Sequence, residues 1–390
     1  MLNLNFLKIF ILSIVILSAT FIYLHIPAKT CQLFSIQAQS FVSGRLDIPQ
    51  NLDAVYINGK YYWPQGPFPS LILIPFQLIF SPNFNQIIMQ PFLVIILAIL
   101  LYRLARLKKF LPKSALLLTY VFLFGSQIIG IITEPCYSFF AHVITLVLLT
   151  AILLEFESNK RPVILGLLLS AILSTRPTAG FVFIPIIYHF YKNSGKDRTI
   201  NIASFMSPIV TTILLLLWFN QIRFQNPLDN GYAINNIGNY LDVLRKEGIF
   251  SIGHIPSNFY YYFLISIQPI IARSTNLVFP FFTYNSVGLS LFIVAPFFLY
   301  SLKSLSNKNI TIKLYWFAIL ITLLLLLSYY SPGWVQFGPR FLSDIMPILY
   351  LLLLNSFNSS KLSTKHQIII LLSSLINIYL LLTGFFLFKK

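Results

Sequence analysis

Few residues of this sequence could do chemistry, and they fall into three kinds. Asp53 in "PQNLDAVYING" and Asp47 in "SGRLDI" are carboxylates of the sort that can accept a proton. Arg176 in "LSTRPTAG", Arg340 in "GPRFLSDIMP" and the nearby Arg45 carry guanidinium forks that fit a phosphate through two parallel N–H donors. Glu134 in "ITEPCYS" is a further acid, and Tyr61, Tyr62 and Trp63 offer flat faces to a ring-shaped ligand or to a membrane interface. Each has a purely structural alternative. Asp53 would cap a turn, Asp47 would pair with Arg45, Glu134 would open a helix before Pro135, and Arg176 would snorkel to lipid phosphates. Arg340 and Asp344, four apart, would form a helical ion pair. His142 reads as a buried polar contact, His25 and His254 have no ligand spacing, and no metal site is expected. Cys31 and Cys136 show no metal or redox spacing. A disulfide is open to them, with inert thiols the default.

The elements that hold these groups follow from composition. Only 9% of the 390 residues are charged and 57% are hydrophobic, against roughly 25% charged in soluble domains. Runs such as "LVIILAILL" and "LYWFAILITLLLLL" approach the ~20 apolar residues that cross a bilayer as a helix, and backbone groups in lipid demand helices. The net charge of +17 is scattered in short clusters between greasy segments, so it reads as topology rather than as a nucleic-acid surface. Lys8, the cluster from Arg103 to Lys113, Lys160 with Arg161, Lys192 to Arg198, Lys303 to Lys313, and Lys361 with Lys365 all belong in the cytoplasm on this rule. Eleven crossings satisfy them, at about 5–26, 86–106, 114–132, 137–155, 162–175, 178–191, 201–221, 284–302, 313–330, 342–355 and 367–387.

The first segment reads as a retained anchor with a cytoplasmic N-terminus. "PFPSLILIPFQLIF" is too short and too proline-broken to cross, and "NFYYYFLISIQPII" at 258–271 would put the next basic cluster on the wrong side. Both are expected as interfacial helices. The expectation is one membrane domain over 1–390, all-α and polytopic, with large extracytoplasmic loops at 27–85 and 222–283. Asp47, Asp53, Glu134, Asp229, Asp242, Glu247 and Asp344 then lie outside, and Glu155, Glu157 and Asp197 inside. Ionisable groups recurring at one depth mark function, so chemistry is expected at the outer membrane surface.

This pattern resembles the GT-C membrane glycosyltransferases, the broad group of protein O-mannosyltransferases and lipid A aminoarabinose transferases, in an uncharacterised bacterial branch. "QAQSFVSGRLDI", "NLDAVYINGKYYWPQGPFPSLILIPF", "ITEPCYSFF", "LSTRPTAGFVFIPII" and "GPRFLSDIMPILYLL" carry the resemblance, with "NPLDNGY" a thinner link. It implies a GT-C-like bundle, a polyprenyl-phosphate-linked sugar as donor, and an extracytoplasmic hydroxyl or amine as acceptor. It implies inverting displacement with Asp53 as the first choice of base and Asp47 the second, Arg176, Arg340 or Arg45 on the donor phosphate, and Tyr61, Tyr62 and Trp63 as substrate wall. Glu134 would orient the acceptor or hold a divalent cation, the one cofactor implied. The sequence departs from the family where an acid commonly follows the first span: "HIPAKTCQLFSIQAQS" has none. A transporter or flippase of lipid-linked saccharides and a non-catalytic assembly partner are the rival readings.

Overall fold

The computed structural model describes residues 31–51, 53–80, 84–136, 138–193, 195–232, 243, 245–272 and 275–388. The expected first crossing at 5–26 lies outside them, as do His25 and Asp242. In chain order the helices and strands are α1 (Leu33–Val42), β1 (Val55–Ile57), β2 (Lys60–Tyr62), α2 (Phe68–Leu71), α3 (Ile74–Phe80), α4 (Gln86–Leu107), α5 (Pro112–Phe124), α6 (Ile128–Ile132), α7 (Phe139–Glu157), α8 (Pro162–Leu173), α9 (Phe183–Asn193), α10 (Arg198–Phe224), α11 (Ile255–Phe259), β3 (Gln268–Ala272), β4 (Asn276–Thr283), α12 (Leu291–Val294), α13 (Ile310–Ser328), α14 (Met346–Asn355) and α15 (Thr364–Phe388). Helix starts follow familiar chemistry. Pro112 and Pro162 occupy the first turns of α5 and α8, where a missing N–H costs nothing, and Asn85 and Asn309 accept from the backbone of Ile87 and Thr311 to cap α4 and α13.

Among the described residues, five helical stretches are long and apolar enough to cross a membrane: Gln86–Leu107, Phe139–Glu157, Gly195–Phe224, Ile310–Ser328 and Thr364–Gly384. Shorter apolar helices lie at Pro112–Phe124, Pro162–Leu173 and Met346–Asn355. The helix α7 is the central post, burying Phe140, Val143, Leu146, Leu149 and Leu153, whereas α10 turns Leu214, Leu215 and Trp218 outward, as a lipid-facing helix does. At one end of the bundle, Glu157 pairs with Lys108 at 2.6 Å and Glu155 with Arg161 at 2.8 Å, so two acids assigned to the cytoplasm meet the basic clusters assigned there.

Three expectations need correction. The bundle is not purely α: β1 and β2 form one antiparallel hairpin, with Tyr56 opposite Tyr61, and β3 and β4 another. The interfacial helix expected over 258–271 divides into α11, a π turn at Tyr260–Leu264 and the strand β3, because Ile265 turns extended and Pro269 cannot continue a helix. The crossing expected at 284–302 is the short α12 followed by a 3-10 run from Pro296 to Ser306.

Candidate functional site

The first loop is held against the bundle by its backbone. Ile48 donates to the Tyr61 carbonyl at 2.8 Å, adding a bridge to the β1–β2 hairpin. The Trp63 carbonyl accepts from Arg223 Nη1 at 2.7 Å, and that guanidinium lies over the rings of Phe219 and Phe224 at the end of α10. At Gly66 a Cβ would lie 2.2 Å from the Ser174 carbonyl; only glycine lets the loop come this close to the end of α8. A disulfide between Cys31 and Cys136 closes the other side, joining residues 105 apart and overturning the default of inert thiols.

These clasps surround a cavity of about 1840 Å³ whose walls include Asp53, Trp63, Glu134, Arg176 and Arg340. Five sequence-nominated residues from four separate segments therefore share one space. Asp47 and Arg45 do not line it; they pair with each other at 3.6 Å near the surface. Tyr61 and Tyr62 also stay off its wall: Tyr61 packs on Tyr56, and Tyr62 is buried against Phe224. The lining also includes the apolar Leu173, Phe181, Leu216, Leu325 and Leu326, contributed by α8, the 3-10 turn after it, α10 and α13.

The two arginines have different partners. Arg176 Nε and Nη2 donate to the two carboxylate oxygens of Asp344 at 2.8 and 3.0 Å, and Thr178 donates to the same carboxylate. Asp344 is 1% exposed, so this is a buried bidentate pair. The local Arg340–Asp344 pair expected from the sequence does not form. Residues 340–344 are a 3-10 helix, in which three residues make a turn and positions i and i+4 no longer stack. Arg340 instead donates through Nη1 to the Trp334 carbonyl at 3.1 Å, and its guanidinium lies 4.7 Å from the Phe139 ring centre and 5.1 Å from that of Phe341. Its buried Nε donates to nothing among the described residues. Burial and the neighbouring Arg176 charge push the Arg340 guanidinium down to about 10. His142 shares a 2.8 Å hydrogen bond with Ser343 and is fully buried, the polar contact expected of it.

Asp53 precedes β1, its own N–H donating to the Asn51 side chain at 3.1 Å. Burial raises its carboxyl above the ordinary aspartate value, and the Arg340 charge holds back part of that rise. Glu134 accepts from the Cys136 N–H at 3.3 Å in the turn that the disulfide locks. Among the described residues no group of three or more His, Cys, Asp or Glu could hold a metal ion.

Tyr232 escaped the sequence reading as a site residue. Its hydroxyl accepts from Gln65 Nε2 at 2.5 Å and lines the cavity; burial raises it, and it feels the charges of Arg176, Arg340 and Asp53. The turn that delivers it is written in "NPLDNGY": Asp229 accepts from the Gly231 N–H at 2.7 Å, and Asn230 from Tyr232 at 3.2 Å. Those Asp and Asn side chains mark the turn, but nothing local says that the next tyrosine faces two arginines.

No family model and no curated protein sequence matches the chain. Among solved structures it is similar to the oligosaccharyltransferase of Archaeoglobus fulgidus in the apo form, 14% identical with a TM-score of 0.47, over 96% of this chain and 55% of that one. The same measures hold for the archaeal oligosaccharyltransferase AglB of that organism in complex with an inhibitory peptide and a dolichol-phosphate. The chain spans about half the length of these proteins.

Proposed function

We propose that this protein is a membrane glycosyltransferase that moves a sugar from a polyprenyl-phosphate donor to an extracytoplasmic acceptor by inverting single displacement. The observation that carries the reading is Arg340. A half-buried guanidinium with a buried Nε that donates to nothing, and with no carboxylate in contact among the described residues, is costly, and here it lies on the wall of a cavity that also holds a partly buried acid, Asp53, and apolar side chains. A ligand with an anionic head and an oily tail satisfies both demands.

In this reading the acceptor O–H or N–H attacks the anomeric carbon while Asp53 takes its proton. The bond from that carbon to the phosphate oxygen breaks, the electron pair stays on the phosphate, and Arg340 stabilises the developing charge. The raised Asp53 carboxyl is a stronger base than an exposed aspartate. Arg176, committed to Asp344, positions the Arg340 segment, and Glu134 orients the acceptor. Asp47 and Arg45, paired with each other away from the cavity, drop out of the roles first given to them. The disulfide supports an extracytoplasmic site, since such bonds persist in oxidising compartments.

The test is to offer the purified protein, in lipid nanodiscs, a panel of polyprenyl-phosphate monosaccharides and to follow donor consumption. Consumption by the wild type and its loss in Asp53→Asn support catalysis. Transbilayer movement of donor without consumption would instead make the protein a flippase.

A further inference from the structure

The cavity is larger than one substrate head requires. Pockets for single small ligands run to roughly 300–1,000 Å³, and this one measures about 1840 Å³. Its lining includes a wall that the proposed chemistry does not use, built where 245–258 runs along 327–334. Ser251 donates to the Ser328 carbonyl at 2.8 Å and Tyr330 to the Ile249 carbonyl at 2.9 Å, while Asn258 reaches the carbonyls of Leu327 and Tyr329. On this wall the cavity lining includes Trp334, which is 58% exposed.

The backbone around Trp334 is held in uncommon geometry. Gly333 has φ +107° and Val335 φ +46°; positive φ at a β-branched residue is a true outlier that persists only where the surroundings enforce it. The enforcement is visible. Gln336 donates through its backbone to the Ser286 carbonyl at 3.1 Å, and through Nε2 to the carbonyls of Val287 at 2.7 Å and Pro332 at 2.9 Å. The Trp334 carbonyl in turn accepts from Arg340, the group assigned to the donor phosphate. The Trp334 indole is thus carried on a restrained backbone one hydrogen bond from Arg340, so a ring resting on it would share the cavity with the proposed phosphate site.

We infer that Trp334 is the stacking platform of an acceptor subsite, and that the acceptor is itself a saccharide whose apolar C–H face lies on the indole. The inference rests on the glycosyltransferase reading and sharpens it by naming the acceptor class. Flat aromatic faces suit such a ligand because they supply a large rigid contact at low entropic cost.

Binding and turnover test it separately. Intrinsic fluorescence of the full-length protein in nanodiscs is titrated with methyl glycosides and disaccharides of glucose, mannose, galactose and N-acetylglucosamine. The emission assigned to Trp334 is the difference between the wild type and Trp334→Phe. A saccharide-dependent change in that difference supports the subsite; no change with any of these sugars overturns it. Quenching of the same difference signal by brominated phosphatidylcholine, without response to sugars, makes Trp334 a membrane anchor and also overturns it. In the transfer assay with a saccharide acceptor, Trp334→Ala should raise the acceptor KM about tenfold, with donor KM unchanged and Trp334→Phe restoring most of the loss. An unchanged acceptor KM in Trp334→Ala defeats the subsite even where transfer proceeds. Failure of the wild type to consume any donor defeats the transferase reading and leaves the fluorescence result standing by itself.

Discussion

The corner where Arg176 meets Asp344 and the loop from Tyr329 to Arg340 lie on the same cavity and are built on opposite terms. In the corner a guanidinium and a carboxylate neutralise each other through two hydrogen bonds, with Thr178 completing the set. In the loop Arg340 has two aromatic rings and one carbonyl, a buried Nε donates to nothing among the described residues, and Val335 is held at positive φ. Residues that complete one another build the scaffold, and residues left incomplete are where a substrate is expected. The two arginines had looked interchangeable as phosphate ligands. Their partners separate them.

Substitutions should separate them too. The largest effect is expected at the acid that shares the cavity with Arg340: Asp53→Asn should lower the rate of donor consumption by about 10²–10⁴-fold, the range for losing a general base. Arg340→Gln should cost roughly 10²–10³-fold in kcat while leaving thermal stability in nanodiscs unchanged or slightly higher, since a partly buried cation with no carboxylate partner among the described residues is removed. Asp344→Ala should do the reverse in kind: it strands a buried cation and should cost about 3–5 kcal/mol of stability, seen as a lower unfolding temperature. If Arg340→Gln unfolds the protein and Asp344→Ala does not, the contrast between the two corners is wrong.

A pH profile sharpens the comparison. Burial raises Asp53, so the acid limb of kcat/KM should lie above the pH of an ordinary aspartate, with activity falling as pH falls through it. Arg340 lowers that value, so Arg340→Gln should move the limb to higher pH. Stability runs the opposite way: the folded state binds the Asp53 proton more readily than the unfolded chain, so the ionised group costs stability at neutral pH and that cost is relieved as pH falls through the raised value. Asp53→Asn should therefore unfold at a slightly higher temperature there. The smallest effect is expected from Tyr232→Phe, which removes one hydroxyl and should lower kcat less than tenfold.

The parts legible in sequence were those written in local pattern. The runs of α4, α7 and α13 were apparent from length and apolar content, and the turns at Glu134–Pro135 and Arg176–Pro177 from their prolines. That Asp53, Glu134, Arg176 and Arg340 share a cavity was suggested only by their common level in a charge-derived topology. Partner choice was not legible. Asp344 lies 168 residues from Arg176, whereas Arg340 stands four away and looked the natural mate; the 3-10 geometry that separates them depends on packing. The β3–β4 hairpin was hidden because "QPII" and "NLVFPFF" are as apolar as the neighbouring helices, so hydrophobicity could not tell strand from helix. Trp334 and Tyr232 sit on loops whose shape comes from contacts with distant carbonyls and side chains.

The central claim, that Arg340 awaits the phosphate of a lipid-linked donor, is tested most directly by the thermal unfolding of wild-type and Arg340→Gln protein in nanodiscs with increasing polyprenyl monophosphate. Stabilisation of the wild type that grows with the lipid and disappears in Arg340→Gln is the expected result. Equal stabilisation of both proteins, or of neither, would contradict it.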